Sequence, residues 1–508
     1  MSVHFTRAGC AALILAFSSQ SALADLTAKD VWSDWQSYIS DMGYEMTGTQ
    51  TMSGKTLKIS DVGYTIAIPD EDVTISITSN EMSLIENGDG TVNITVPESQ
   101  VVTIDVTVKD DEDAKIKLNY TQSGLVMVVS GEPGNVTYDY SAKSLGVSLD
   151  SIEIDGEVKP ADMAKVSLAM NEIAGNTVMT TTDTQSSAGT MNIGSLTYDI
   201  AVNNPDGDET FEMSGKSENL TSTSNFVMPG VIDSSDMRAM LNAGFAFDGK
   251  FSFGAGSYTL KGVDDHESFS ADGSSQGGAF QVAMDKTNLA YGFSVNDVST
   301  AISSNELPFP VSFAIAKYGL KLNLPLDVTK ELQDFAIALT LQNFTMSDML
   351  WSIFDQAGTL PRDPATILVD LKGKARVLVD MFAPNIEEIM MTADGPPAEL
   401  HALTLNNLLV SAAGAKLSGT GDFTFDNNDL ETYDGMPTPT GTLNLKLIGV
   451  NGLMDKLVAM GLIGDQEVMG ALMGMGMLAV PGEGEDTLIS KIEMTPNGQI
   501  IANGQRIK

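Results

Sequence analysis

Val102-Thr103-Ile104-Asp105-Val106-Thr107-Val108 spaces four apolar residues two apart with a polar residue between each pair. A period of two sends alternate side chains to opposite faces of an extended chain, so this stretch predicts a strand with one apolar and one wet face. The same alternation continues on both sides. Upstream it runs through Leu57 and Ile59, then Tyr64, Ile66 and Ile68, then Val73, Ile75 and Ile77, then Val92, Ile94 and Val96. Asn87-Gly88-Asp89-Gly90 and Gly131-Glu132-Pro133-Gly134-Asn135 are turn signals between such runs. Short strands this closely spaced, with no helices between them, predict a mainly β, antiparallel fold built as an elongated or curved sheet.

The pattern extends through Leu145 to Ile154, Met191 to Ala201 and, after a break, about Ala246 to Leu326. Tyr291-Gly292-Phe293-Ser294 loosely echoes Tyr138-Asp139-Tyr140-Ser141, a hint of duplication too short to define a repeat. Thr27 to Met42 predicts a helix, capped by Thr27 with Asp30, with Val31, Trp35, Tyr38, Ile39 and Met42 on one face. Met228-Pro229-Gly230 leads into a short helix near Ser234 to Leu241, which sets a soft division into domains 25–228 and 244–508. Further on, Ser347 to Gln356 reads as helical and Thr366 to Val379 as extended. Leu403 to Phe425 reads as two strands joined near Ala413-Gly414. Gly449 to Val480 reads as a helical hairpin, and Asn497-Gly498 and Asn503-Gly504 as closing β turns.

Residues 1–24 read as a cleavable export signal: Arg7, the apolar run Ala8 to Phe17, then Ala22-Leu23-Ala24 as a small-x-small cleavage site. This predicts a periplasmic protein, in a compartment without nucleotides or nucleic acid. Cys10, the single cysteine, lies in that segment, so the mature chain is expected to lack disulfides and thiolate chemistry. With 508 residues, 43% of them hydrophobic, the chain can build a core without them. The longest later apolar run, Val468 to Val480, is shorter than the roughly 18–20 residues of a membrane span. The formal charge of −39, from 67 acidic and 28 basic residues, disfavours nucleic acid and anionic membrane surfaces. A solvated, salt-adapted surface is the simpler reading of that charge, and a collector of cations the sharper one.

Signals for catalysis are sparse. Gly273-Ser274-Ser275-Gln276-Gly277 matches the G-x-S-x-G nucleophile elbow, but a strand-like run rather than a helix follows it. Ser53-Gly54-Lys55-Thr56 lacks the leading glycine of a phosphate loop, since position 49 is Thr49. His266 and His401 would have to converge with carboxylates to hold zinc. Asp110-Asp111-Glu112-Asp113, Asn204 to Glu209 and Asp426-Asn427-Asn428-Asp429 could attract calcium but lack the spacing of a calcium loop. No catalytic residue, metal or cofactor is therefore expected. The strongest binding signal is the Met- and Gly-rich hairpin, with Met454, Leu457, Met460, Met469, Met473 and Met477 as candidate ligand contacts. Flexible thioethers suit exchangeable apolar contacts.

The chain resembles a bacterial family described as domain of unknown function 2125. The resemblance rests on Val31-Trp32-Ser33-Asp34-Trp35, Leu350-Trp351 with Leu360-Pro361-Arg362-Asp363-Pro364-Ala365-Thr366, Leu417-Ser418-Gly419-Thr420-Gly421-Asp422-Phe423 and Asn503-Gly504-Gln505. It implies a Gram-negative envelope protein and carries no activity or site residues. More distantly, the β-rich body looks like AsmA-like envelope proteins, which implies lipid traffic or envelope upkeep. The leading expectation is a non-enzymatic protein that shelters an apolar, lipid-like ligand between a sheet and the Met-rich helices. The alternative is an envelope interaction protein with a protein partner, and a hydrolase comes last. In the loop around Arg362-Asp363, the flanking prolines are expected to fix the chain while the charged pair holds it in place.

Overall fold

The computed structural model describes residues 25–41, 43–68, 72–109, 112–182, 184–205, 207–230, 236–264, 267–392 and 395–508. The leader, Met42, Asp110, Asp111, Asp206, 231–235 and His266 lie outside them. Strand accounts for 63% of the structure and helix for 12%, and one large antiparallel sheet holds the strands, as the alternation predicts. Full-width strands pair with the strands before and after them in the chain. Thr56–Ile68, for example, lies between Glu45–Ser53 and Val73–Glu86. The result is a meander. The ladder continues from Thr210–Pro229 to Ala246–Phe253, so pairing runs unbroken across the expected division between 228 and 244. With roughly twenty strands at about 4.8 Å spacing, the sheet is on the order of 90 Å long.

A crease runs through the middle of these strands. Asp61, Glu172, Asn219, Asp297 and Asn343 all adopt left-handed backbone angles, with φ between 48° and 55°. They sit in register. Glu172 lies opposite Lys143 on one side and Gly194 on the other, and Gly194 in turn faces Asn219. Short polar side chains tolerate this conformation, which explains the run of Asp and Asn there. Gly194 has no alternative, because a Cβ there would sit 2.9 Å from the Glu172 Cβ.

Each crease residue shifts the alternation of its strand by one, and at Glu172 and Asn219 this leaves the register to the neighbouring strands unchanged. Leu57 and Ile59 face the same side as Val62, Tyr64 and Ile66, although the numbering changes from odd to even at Asp61. The sheet therefore bends while keeping one face apolar. Its direction follows from burial. Ala142, Ile173, Ile193 and Leu220, directly beside the crease on the apolar face, are 5–7% exposed, whereas apolar residues farther out are half-buried. The apolar face is thus the inside of the bend, and the sheet forms a gutter with two walls.

Helices cover parts of it. Helix α1 (Ala28–Asp41) lies on the apolar face at the first strands, burying Val31 and Trp32 against Leu57, Ile59, Leu84, Val92, Val129 and Val136. Each large side chain removed from water in this way contributes about 1.5–3 kcal/mol. Helix α2 (Met237–Asn242), capped by Asp236, packs Met240 and Leu241 on Phe245, Met284 and Leu326. The partly buried Arg238–Asp380 ion pair, 2.6 Å, ties it to the loop after strand Ala365–Val377. Only Asp348–Trp351 of the expected helix at Ser347 to Gln356 is helical (α3). The Asp355 carboxylate accepts the backbone N–H groups of Thr359 and Leu360 and turns the chain away. Helix α4 (Ile386–Thr392) precedes the strand Ala398–Ala412, and helices α5 (Val450–Ala459) and α6 (Asp465–Leu478) follow one another in the segment expected as a helical hairpin, without packing closely along each other. Helices with an apolar face laid across part of a gutter leave the rest open. The whole chain exposes 29571 Å², against roughly 18,000 Å² for a compact monomer of this 53.8 kDa mass.

Candidate ligand-binding gutter

Strand register decides which residues meet along the walls. Phe280, Phe293, Leu320, Leu339, Val369 and Leu408 stand opposite one another on consecutive strands. Two residues nearer the rim, Val282, Tyr291, Leu322, Ile337, Leu371 and Leu405 form a parallel row. Between these rows, pointing outward, lie Gln281, Gly292, Lys321, Ala338, Asp370 and Asn407. Neither inward row holds a charge.

The charges are paired on the outer surface instead, as in Lys165–Asp199 at 2.7 Å, Lys374–Asp334 at 2.8 Å, Lys115–Asp105 at 3.4 Å and Lys58–Glu81. These exposed pairs contribute little stability, about 0–1 kcal/mol each, but they keep the basic side chains off the inner face. Within the gutter, aromatic rings stack edge to face. Phe280 to Tyr291 is 5.4 Å between centroids, Tyr291 to Phe293 6.2 Å and Phe293 to Tyr318 6.0 Å. Among the described residues nothing closes over the middle of the wall at these points: Leu339 is 45% exposed and Phe280 39%.

The two ends differ. At the first strands α1 fills the gutter, and the Trp35 indole N–H donates to the Tyr138 hydroxyl at 2.8 Å. Burial pushes the Tyr138 phenol up to about 12. Near the last strands, on the rim that also carries α2, a cavity of about 760 Å³ opens between Leu378, Leu400, Phe425, Tyr433, Met436 and Met494. The segment 429–438 lies over it. Asp429 holds that segment by accepting from the Thr432 N–H at 3.1 Å and from the Thr432 and Thr438 hydroxyls at 2.8 Å each. These bonds keep its carboxyl below the usual range.

The Met-rich hairpin stands on the opposite rim. Of the six candidate contacts, Met454 is buried, Leu457 and Met460 are half-buried, and Met469, Met473 and Met477 are 60–71% exposed on α6. No residue of α6 is buried, and none of the six lines the 760 Å³ cavity. Ser490 and Asn503 donate to the Leu478 carbonyl and fasten the returning end of α6 to the sheet.

Other sequence signals resolve into structure. Ser275 ends the strand Glu267–Ser275 and the chain runs directly into Gly277–Met284, a strand-to-strand passage at the crease rather than a strand-to-helix elbow. Gly54 and Lys55 form the turn of a tight hairpin in which Ser53 pairs with Thr56. His401 lies 3.2 Å from Glu399, which also accepts from Arg376 at 2.9 Å. Among the described residues, no three His, Cys, Asp or Glu side chains converge as metal ligands. Arg362 pairs with Asp348 and stacks on Trp351, while Asp363 accepts from the Gly414 N–H at 2.8 Å. The two charges thus brace α3 and the turn at Ala413-Gly414 separately. Among the described residues, no helix is long and apolar enough to cross a membrane.

Sequence reading missed the cavity, whose lining comes from four separate segments. Its local signal was the cluster Met436-Pro437-Thr438-Pro439, whose prolines favour a fixed loop entering a strand. Comparison with protein-family models, with curated proteins and with solved structures finds no match to this chain.

Proposed function

We propose that this protein is a non-enzymatic carrier that shelters neutral, chain-like apolar molecules, lipid tails above all, along the inside of its gutter. The observation that carries this reading is the pair of uncharged rows through Leu339 and Ile337, apolar across six consecutive strands, half-buried for most of their length and exposed at Leu339 and Phe280. Exposed contiguous apolar surface of this extent marks a binding surface. A chain-like ligand matches its shape, since methylene groups can lie along a row while a polar head stays at the open mouth. Burial of each methylene contributes about 0.8 kcal/mol, so a chain along several strands binds without a specific polar contact. The leader read at 1–24 and the resemblance to envelope families support a periplasmic setting for this activity, and with it an envelope lipid as the cargo.

Native mass spectrometry of the protein purified from its own cell envelope, followed by organic extraction, tests the carrier. Stoichiometric lipid in wild type, reduced in amount in Leu339→Lys, is the expected result. A clean apo mass together with no uptake of added lipid overturns it. A second reading, an envelope interaction protein, draws on the exposed methionines of α6, and crosslinking from Met473 to one envelope protein in place of lipid would favour it.

A further inference from the structure

We propose that the 760 Å³ cavity is a dead-end seat for the tail of one unbranched acyl chain, which gives the gutter a fixed terminus. The proposal rests on the carrier reading and adds to it a defined site and a preference for chain length. The cavity continues the wall. Leu403, Phe423, Gly441 and Met494 form one row across four strands, and Phe425 and Pro439 form the next row toward the rim. Gly441 is required there, because a Cβ would meet the Phe423 ring at 2.7 Å and the Asp422 carbonyl at 2.0 Å.

The cover is built rather than loosely draped. Besides the Asp429 contacts, the Tyr433 hydroxyl donates to the Gly498 carbonyl at 3.2 Å. Lys508 donates to the Thr432 carbonyl at 3.2 Å and sits 3.9 Å from the Tyr433 ring centre. The polar groups of the lining are engaged: Glu399 with Arg376 and His401, and the Asn427 amide N–H with the Leu400 carbonyl at 2.9 Å. Among the described residues lining it, a charged or strongly polar head finds no unengaged partner, so the apolar end of a ligand enters and the head stays out. The volume lies within the roughly 300–1,000 Å³ of small-molecule sites.

The test is fluorescence titration of the full chain with parinaric acid methyl ester, a neutral chain that emits when held in an apolar site. Leu378→Trp with Met436→Trp fills the cavity from two positions that are already exposed, and Leu339→Lys charges the open wall. The expected result is a loss of about tenfold or more in affinity for the tightest probe in the filled variant, because the most enclosed contacts are removed. Weaker binding along the wall should persist there, and Leu339→Lys should show the reverse. In wild type, affinity for saturated methyl esters should rise with chain length and then level off once the seat is full. Wild-type titration of the filled variant, with binding still sensitive to Leu339→Lys, overturns the seat and leaves the carrier standing. Absence of probe binding to wild type overturns both. A lowered melting temperature in the double variant moves the same comparison to Met436→Trp alone.

Discussion

The first and last strands of this sheet present the same kind of apolar face and use it differently. Over the first strands the chain supplies its own cover: α1 places Trp32 and Val31 on Leu57, Ile59 and Leu84, and the site becomes core. Toward the last strands no helix among the described residues lies over the wall rows, a cavity remains beneath 429–438, and the apolar helix α6 exposes its methionines. An alternating strand thus specifies an apolar face but not its fate. Whether that face is core or binding surface depends on a covering segment elsewhere in the chain.

The largest effect that would sharpen this contrast is expected from Trp32→Ala. Removing a fully buried indole should cost about 3–5 kcal/mol. Hydrogen exchange should locate the damage in 45–62 and 82–94 and leave 438–494 protected; equal loss of protection at both ends would break the comparison. Next is the alkaline response of the filled end. The phenol of Tyr138 is raised to about 12 in the folded chain against 10 when unfolded. The folded state therefore holds its proton longer, and stability that is complete below pH 10 should fall as pH rises toward 12, by about 2–3 kcal/mol. In Tyr138→Phe that alkaline slope should flatten. The cost would be about 1 kcal/mol at neutral pH, for the lost bond from Trp35, and chemical denaturation at several pH values measures both.

At the open end the matching experiment uses Asp429. Its carboxyl is lowered by Thr432 and Thr438, so the hold on the cover is present above the ordinary carboxylate range and weakens as pH falls through the lowered value. Asp429→Asn should speed exchange of 429–438 at neutral pH while global unfolding stays put. The smallest effect is expected from α6. Met469→Gln, Met473→Gln and Met477→Gln should each change stability by less than about 0.5 kcal/mol, because these side chains are exposed. Probe binding should also persist, as none of them lines the cavity; its loss would bring the hairpin into the ligand site.

Much of the architecture was legible in the sequence because a period of two is a local signal. The strands at Ile66, Ile75 and Val106, the turns at Ala413-Gly414 and Asn503-Gly504, and the two successive helices α5 and α6 all follow from residues near one another in the chain. The crease was also written there, in the change from odd to even between Ile59 and Val62. It becomes readable only when several strands are aligned in register. The cavity was not legible, since Leu378, Phe425, Met436 and Met494 meet only through pairing across five strands. The hairpin shows the converse. Methionine content marked it as apolar, but composition could not say whether its stripe faces the sheet or the solvent.

The meander itself has a consequence for how such a protein changes over generations. Because full-width strands bond to their neighbours in sequence, gaining or losing one hairpin leaves every other pairing intact. Each such step alters the reach of the molecule by about 10 Å, two strand spacings, without rerouting the chain. Reach is therefore a heritable quantity that moves in discrete increments, and relatives differing by whole hairpins would form a graded series of rulers.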